Sequence, residues 1–175
     1  MPRNLYTALF CLLLPFYFFR LCWKGLSNKE YLFRWSERLG FSSDGPSKDK
    51  SLIWIHAVSV GEVNASMPLL RSLINDYPSS EILVTTTTPT GSNLLIERLG
   101  NKIKHQYLPV DIPFFLNYFL DKWNPRILIL LETEIWPNLI NTCKRRAIYT
   151  ALVNARLSEK SKDNYLKYNS LMKPA

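Results

Sequence analysis

The chain of 175 residues is 47% hydrophobic and 21% charged, enough to bury one domain core and unlike the composition of a disordered protein. Its net charge of +8 sits at the two ends: eight Lys/Arg stand against four Asp/Glu in residues 1–50, six against six in 51–131, and eight against four in 132–175. Basic flanks suit an anionic membrane surface, a phosphorylated ligand or nucleic acid, but the sequence carries no zinc spacing, aromatic RNA-binding signature or recognition helix that would favour nucleic acid.

From Leu5 to Phe19 the chain reads LYTALFCLLLPFYFF, then Arg20 and LCWKG. The run is shorter than the ~20 apolar residues of a comfortable membrane span and is interrupted by Pro15, so it reads as an anchor with no polar face. No small-residue cleavage site follows it, which argues against a signal peptide. Arg20, Lys24, Lys29, Arg34 and Arg38, interleaved with Trp23 and Trp35, form a mixture that belongs at a headgroup interface on the cytoplasmic side. Cys11, Cys22 and Cys143 form no disulfide or metal pattern and read as packing residues.

Tyr31, Leu32, Trp35 and Leu39 recur at helical spacing and predict a helix over 28–39, ended by Gly40. FSSDGPSKDK (41–50) reads as a surface linker. The boundaries expected are 1–27 for the anchor and interfacial segment, 28–50 for the basic helix and linker, and 51–175 for the domain proper. Within it the pattern predicts strands near 52–57, 81–87, 105–108, 126–131 and 147–153. Helices are expected near 62–76, 90–99, 112–123 and 135–146, with a last one from about 158. Short apolar strands separated by helices predict an α/β fold with a parallel, Rossmann-like sheet covered on both faces. A Rossmann-like half that ends in an exit helix reads as the first half of a larger protein.

Two glutamates follow apolar strand runs: SLIWIHA leads through Val58, Ser59, Val60 and Gly61 to Glu62, and RILILL leads straight to Glu132. If both runs are parallel strands of one sheet, the carboxylates share its carboxyl edge, where open α/β folds bind their ligands.

Together, HAVSVGE (56–62), TTTTPTG (85–91), YLPVDIP (107–113), ETEIWPN (132–138) and NARLSEKS (154–161) resemble the amino-terminal half of the transferases of 3-deoxy-D-manno-octulosonic acid (Kdo). The resemblance covers essentially the whole chain. It implies the acceptor-binding domain of a two-domain GT-B glycosyltransferase that transfers Kdo from CMP-Kdo to the lipid A precursor (lipid IVA) in lipopolysaccharide synthesis, at the cytoplasmic face of the inner membrane. The carboxyl-terminal donor domain of that architecture is absent from the sequence. CMP-Kdo is a substrate, so no cofactor is expected, and the resemblance implies no metal.

By the same resemblance Glu62 is the general base and Glu132 stabilises the transition state, where a fixed carboxylate counts most as positive charge develops on the sugar. Taken alone, Glu62 is equally a charge at a helix start, where the dipole favours its ionised form. Ser59 and Asn138 lie within the motifs and count as substrate-binding, and Gly61 permits close approach of backbone and ligand. Glu134 either orients the site or serves the helix start. Thr88 is suited to cap a helix with Pro89 at its first position, so that Thr88, Thr90 and Gly91 present backbone N–H groups to a sugar or phosphate oxygen. Arg156 follows the last strand and can grip a phosphate or carboxylate in bidentate fashion. His56 reads as a packed core residue rather than a base. The competing functional class is a non-catalytic, membrane-bound module for an anionic lipid.

Overall fold

The computed structural model describes residues 3–47, 50–132 and 135–155. Four runs rich in Ile, Leu, Val and Thr form the strands β1 (Ser51–His56), β2 (Ser80–Thr86), β4 (Ile127–Leu131) and β5 (Tyr149–Val153), and the polar run KHQY forms β3 (Lys104–Tyr107). All neighbouring strands are parallel, in the order β3-β2-β1-β4-β5. Parallel pairing requires a crossover after each strand, supplied by α3 (Val60–Asp76), α4 (Pro89–Leu99), α5 (Pro113–Trp123) and α6 (Pro137–Arg145). Proline opens α4, α5 and α6, where its missing N–H leaves no helical bond unmade. These boundaries agree with the expected ones to within one or two residues.

The sheet is covered on both faces, as alternation within each strand dictates. On one face Leu52, Trp54, Leu83, Leu128 and Leu130 pack with Phe119, Trp123 and Leu139 of α5 and α6. On the other, Ile55, Ile82, Val84, Ile129 and Leu131 meet Val63 and Leu70 of α3 and Leu95 of α4. Trp54 is fully buried, and its indole N–H donates to Thr85 Oγ1 at 2.9 Å. Burying a large apolar side chain of this kind contributes about 1.5–3 kcal/mol.

The single helix expected over 28–39 is instead two short pieces, a 3-10 turn at Lys29–Leu32 and α2 (Trp35–Arg38), separated by Arg34 in the left-handed region at φ 58°. Tertiary contacts override the helical spacing. The Arg34 guanidinium pairs with Glu37 at 2.7 Å and donates to Ser92 Oγ at 3.1 Å and to the His105 carbonyl. Arg38 is 1% exposed and lies over the Tyr107 ring at 4.0 Å. Arg34 and Arg38 therefore serve the domain interior, a correction to their placement at a headgroup interface. Gly40 ends the segment as expected. Its φ is +85°, and a Cβ there would lie 2.5 Å from the Phe115 carbonyl oxygen.

The N-terminal helix α1 (Arg3–Ser27) is longer than the run from Leu5 to Phe19 and continues through Pro15. Its length and apolarity suffice to cross a membrane. It also has a polar side, contrary to expectation. Tyr6 donates to Asp111 Oδ2 at 2.8 Å, Thr7 and Asn138 are hydrogen-bonded at 3.0 Å, and Tyr17 accepts from Arg38 Nη1 at 3.1 Å. Phe10 meets Trp136 edge-on, and Phe18 packs on Trp35. Bonds near its first turn and from Tyr17 hold α1 against the domain, and its last turn, with Gly25 buried against Leu32, packs on the Lys29–Leu32 turn. Leu5, Leu9, Leu12, Phe16, Phe19, Trp23 and Leu26 remain exposed. Steps of four and three residues place them in one stripe.

A candidate active site at the carboxyl edge of the sheet

The chain leaves β1 to build one side of the sheet through β2 and β3, then returns beside β1 as β4 to build the other. The carboxyl ends of β1 and β4 therefore flank the crevice at the point where strand order reverses, the usual ligand position in open α/β sheets. Glu62 follows β1 and Glu132 follows β4, so the structure brings the two predicted carboxylates to that crevice. They are close enough for the charge of Glu132 to act on the ionisation of Glu62.

Ser59 is the N-cap of α3. Its hydroxyl accepts from the Glu62 N–H at 3.4 Å and bonds Glu62 Oε1 at 3.1 Å. Glu62 Oε2 accepts from the Val58 N–H at 2.8 Å. This reciprocal arrangement is a variant of the capping box, with the carboxylate reaching one residue further back than usual. The Ser-x-x-Glu spacing is legible in the sequence, but its capping role was not foreseen. The carboxylate is nearly buried, at 6% exposure. Burial pushes its pKa up, the Val58 N–H and the Ser59 hydroxyl partly offset that, and the Glu132 charge adds to the rise. Burial thus outweighs the helix dipole that was expected to favour the ionised form. A carboxylate so placed is a stronger base than an exposed one.

Gly61 has no positive φ, and a Cβ there would meet only Ser59 Oγ at an ordinary 3.7 Å. The protein's own packing does not require glycine at this position, and the absent side chain leaves the front of α3 open. Glu132 sits in the left-handed region at φ 55° while its N–H donates to the Val153 carbonyl at 3.0 Å. A non-glycine residue held there costs roughly 1–3 kcal/mol, a form of strain that clusters at functional sites. Propensity gave no sign of it.

Thr88 caps α4 as expected, accepting from the Gly91 N–H at 3.3 Å, with Pro89 at the first position. That bond engages the Gly91 N–H. A Cβ on Gly91 would lie 3.1 Å from Thr88 Oγ1, so this glycine serves the cap. Thr90 is exposed. Asn138 is 1% exposed, and its amide donates to the Asp111 carbonyl at 2.7 Å and to Thr7 Oγ1 at 3.0 Å. It ties α1 to α6, and its amide is not free for a ligand. Glu134 and Arg156 lie outside the described residues, as does the helix expected from about 158.

His56 is fully buried, with Nδ1 bonded to Thr85 Oγ1 at 2.9 Å, and burial holds its pKa down at about 4. It is the core residue expected. Two residues of the edge were missed, Arg38 and Asp111. Asp111 accepts the Asn138 and Leu139 N–H groups at 3.1 and 2.8 Å, so a residue from before α5 caps α6. Burial pushes its pKa up to about 6 against the hydrogen bonds from Tyr6 and those two amides. Among the described residues no cluster of three or more His, Cys, Asp or Glu side chains is arranged to hold a metal ion.

A family model described as 3-deoxy-D-manno-octulosonic-acid transferase (kdotransferase) matches residues 33–175. The chain is 41% identical over 170 residues to a 3-deoxy-D-manno-octulosonic acid transferase of Haemophilus influenzae, covering 95% of the chain and 39% of that relative. It is 38% identical over 158 residues to a probable mitochondrial 3-deoxy-D-manno-octulosonic acid transferase of Arabidopsis thaliana, covering 90% and 35%. A 3-deoxy-D-manno-octulosonic acid transferase of Rickettsia bellii is 36% identical over 164 residues, covering 94% and 39%. The chain thus spans less than two fifths of the length of these relatives. With the sheet, both edge glutamates and their flanking motifs inside the matched region, the chain belongs to the 3-deoxy-D-manno-octulosonic acid transferase family.

Proposed function

We propose that this chain is the acceptor-side part of a membrane-associated, inverting glycosyltransferase that moves Kdo from CMP-Kdo to the lipid A precursor. The observation that carries the reading is the pair Glu62 and Glu132 at the carboxyl ends of adjacent central strands. Glu62 takes the proton of the acceptor hydroxyl as that oxygen bonds to the anomeric carbon of Kdo. CMP leaves from the opposite side with the bonding electron pair, and the anomeric configuration inverts. Glu132 faces the positive charge that develops on the sugar, where a preorganised carboxylate acts most strongly. Thr88, Thr90, Glu134 and Arg156 remain proposed contacts for the substrates' hydroxyl, phosphate and carboxylate groups. The donor is held mainly by a second, carboxyl-terminal domain of a GT-B architecture, for which the greater length of the relatives leaves room.

The exposed stripe of α1 supports attachment to a membrane. Because the helix is fastened near its start through Tyr6 and past its middle through Tyr17, it lies along the bilayer surface in this proposal, on the cytoplasmic side of the inner membrane. The bonds of Glu62 to Val58 and Ser59 favour a second reading, in which the glutamate only caps α3 and the chain is a non-catalytic module for an anionic lipid. The chain joined to a matching carboxyl-terminal domain distinguishes the two. The enzyme reading expects Kdo transfer by the unaltered joined protein and loss of most of it in a folded Glu62→Gln variant; no transfer by the unaltered protein would leave the lipid-binding reading, and near-normal transfer by the variant would remove Glu62 as the base.

A further inference from the structure

A chain of hydrogen bonds connects a buried arginine to Glu62. Arg38, at the end of α2, donates through Nη1 to the Thr87 carbonyl at 3.0 Å. Thr87 in turn donates twice to the Val58 carbonyl, from its backbone N–H at 3.3 Å and from its hydroxyl at 3.1 Å. The Val58 N–H then donates to Glu62 Oε2 at 2.8 Å. Three parts of the sequence meet in this chain: the segment ahead of the sheet, the loop after β2 and the loop after β1.

The middle link is not ordinary strand pairing. In a parallel ladder the N–H and C=O of one residue bond to residues two apart on the neighbouring strand. The Ala57 N–H bonds the Thr85 carbonyl at 3.0 Å, so a continued ladder would bring the Thr87 N–H to the Ala57 carbonyl. It goes to the Val58 carbonyl instead, and the Thr87 hydroxyl adds a bond to the same oxygen that an isosteric valine cannot make.

Stability does not account for Arg38. Taking a guanidinium out of water costs free energy unless it is paired. Arg38 is 1% exposed, and among the described residues its Nε and Nη2 have no hydrogen-bond partner. The neighbouring carboxylate, Glu37, is paired with Arg34. The Tyr107 ring at 4.0 Å offsets part of the cost, and the hydrogen bonds that the guanidinium does make go to Tyr17 Oη and the Thr87 carbonyl. Residues that break a stability rule in this way concentrate at functional sites.

We infer that Arg38 and Thr87 are positioning residues for Glu62: they fix the Val58 peptide, and through its N–H the direction in which the carboxylate meets the acceptor hydroxyl. The Ser59 hydroxyl holds the other oxygen at 3.1 Å, and each oxygen keeps a further lone pair for the proton it is to accept. Holding the carboxylate matters because a displacement of ~1 Å can cost ~10²-fold in rate. This role rests on the reading of Glu62 as the base.

The test compares Thr87→Val, which keeps the shape and loses the hydroxyl bond, with Thr87→Ser, which keeps the bond. In the full chain, held in a neutral maltoside detergent and followed by NMR, the Val58 amide proton should titrate with Glu62. Thr87→Val should move that resonance upfield and speed its exchange with solvent at least about threefold, and Thr87→Ser should restore both. In the chain joined to a carboxyl-terminal domain, Thr87→Val should lower kcat about tenfold with KM within about twofold, and Thr87→Ser should recover kcat. Arg38→Met should act in the same direction, and the Thr87 pair decides the matter if that variant does not fold. Thr87 also lines the cavity of about 510 Å³ between α1 and the sheet edge. A raised KM with an unchanged Val58 amide would mean direct contact with substrate there and overturns the inference. Unchanged kcat in Thr87→Val overturns it as well, and Glu62→Gln in the same assay then tells which reading failed. An inactive Glu62→Gln beside a fully active Thr87→Val removes the positioning role and leaves the base, whereas full activity of both removes the base.

Discussion

Glu62 holds the Val58 N–H through Oε2 at 2.8 Å and the Ser59 hydroxyl through Oε1 at 3.1 Å, so the proposed base is also part of the cap of its own helix. Glutamine retains an acceptor for Val58 and can donate to Ser59, whereas alanine removes both contacts. Glu62→Gln should therefore change stability by less than about 1 kcal/mol, and Glu62→Ala should cost about 1–2 kcal/mol, as the loss of a cap does. In the chain joined to a carboxyl-terminal domain, both should lower kcat by about 10²–10⁴-fold, the range of general-base catalysis. Melting temperature measured beside kcat separates the roles. A rate that merely follows the folded fraction would make Glu62 a cap and nothing more.

Glu132 invites the opposite experiment, because its backbone conformation is unfavourable for any side chain. Glu132→Gly relieves that strain, offset by the greater freedom of glycine in the unfolded chain, so stability should stay the same or rise by about 1 kcal/mol. Transfer by the joined protein should fall sharply, with kcat reduced more than KM, since the lost charge acts mainly in the transition state. A variant that is less stable yet fully active would show that the glutamate serves the fold.

The central strands β1, β2 and β4 were legible because they are largely buried and read as apolar runs bounded by turn residues, whereas the polar β3 and the largely exposed β5 were placed by their spacing between helices. The positions of Glu62 and Glu132 followed from β1 and β4, since a residue just after a parallel strand must lie at the carboxyl edge. The segment 28–39 was not legible. Its helical spacing is real, but the left-handed Arg34 is fixed by His105 and Ser92, far away in sequence. Arg38 within a basic run reads as a surface residue, and only the fold shows it buried over Tyr107. The polar side of α1 was hidden in the same way, because Tyr6 and Tyr17 count as apolar until Asp111 and Arg38 are found opposite their hydroxyls. The link from Asp111 to α6 spans 27 positions, which no local signal encodes.

Stability should fall on mild acidification, and the sign follows from buried groups. His56 and His105 have folded pKa values pushed down by burial to about 4 and about 3, so the unfolded chain binds protons that the native state refuses once pH drops below about 6.5. Asp111, raised to about 6, works the other way. Its native state binds a proton between pH 6 and about 4 that the unfolded chain does not, so its contribution grows on acidification and is lost as pH rises through 6. The two histidines outweigh Asp111 and the smaller, like-signed rise at Glu62, so stability should decrease between pH 7 and pH 5. Chemical denaturation at several pH values checks the slope. His105→Gln should flatten it and Asp111→Asn should steepen it; the reverse pattern would mean that the histidines are not held neutral.

The exposed stripe of α1 can be altered without touching the face that holds the domain. Leu9, Leu12, Phe16 and Phe19 are exposed, whereas Tyr6, Thr7 and Tyr17 carry the bonds to Asp111, Asn138 and Arg38. Replacing the four exposed residues together by glutamine removes apolar area that would enter a bilayer, worth about 1.5–3 kcal/mol for each side chain when fully buried. That should shift the chain from vesicles containing anionic lipid into the soluble fraction in a flotation assay, with its melting temperature unchanged. Tyr6→Phe should do the converse, keeping the membrane association but lowering stability, because it removes one of the two hydrogen bonds to Oδ2 of buried Asp111 and leaves only that from the Asn138 N–H, a loss of about 0.5–1.5 kcal/mol. If the glutamine variant floats with the vesicles as the unaltered chain does, α1 is not the attachment surface, and the basic residues would have to supply the attraction alone.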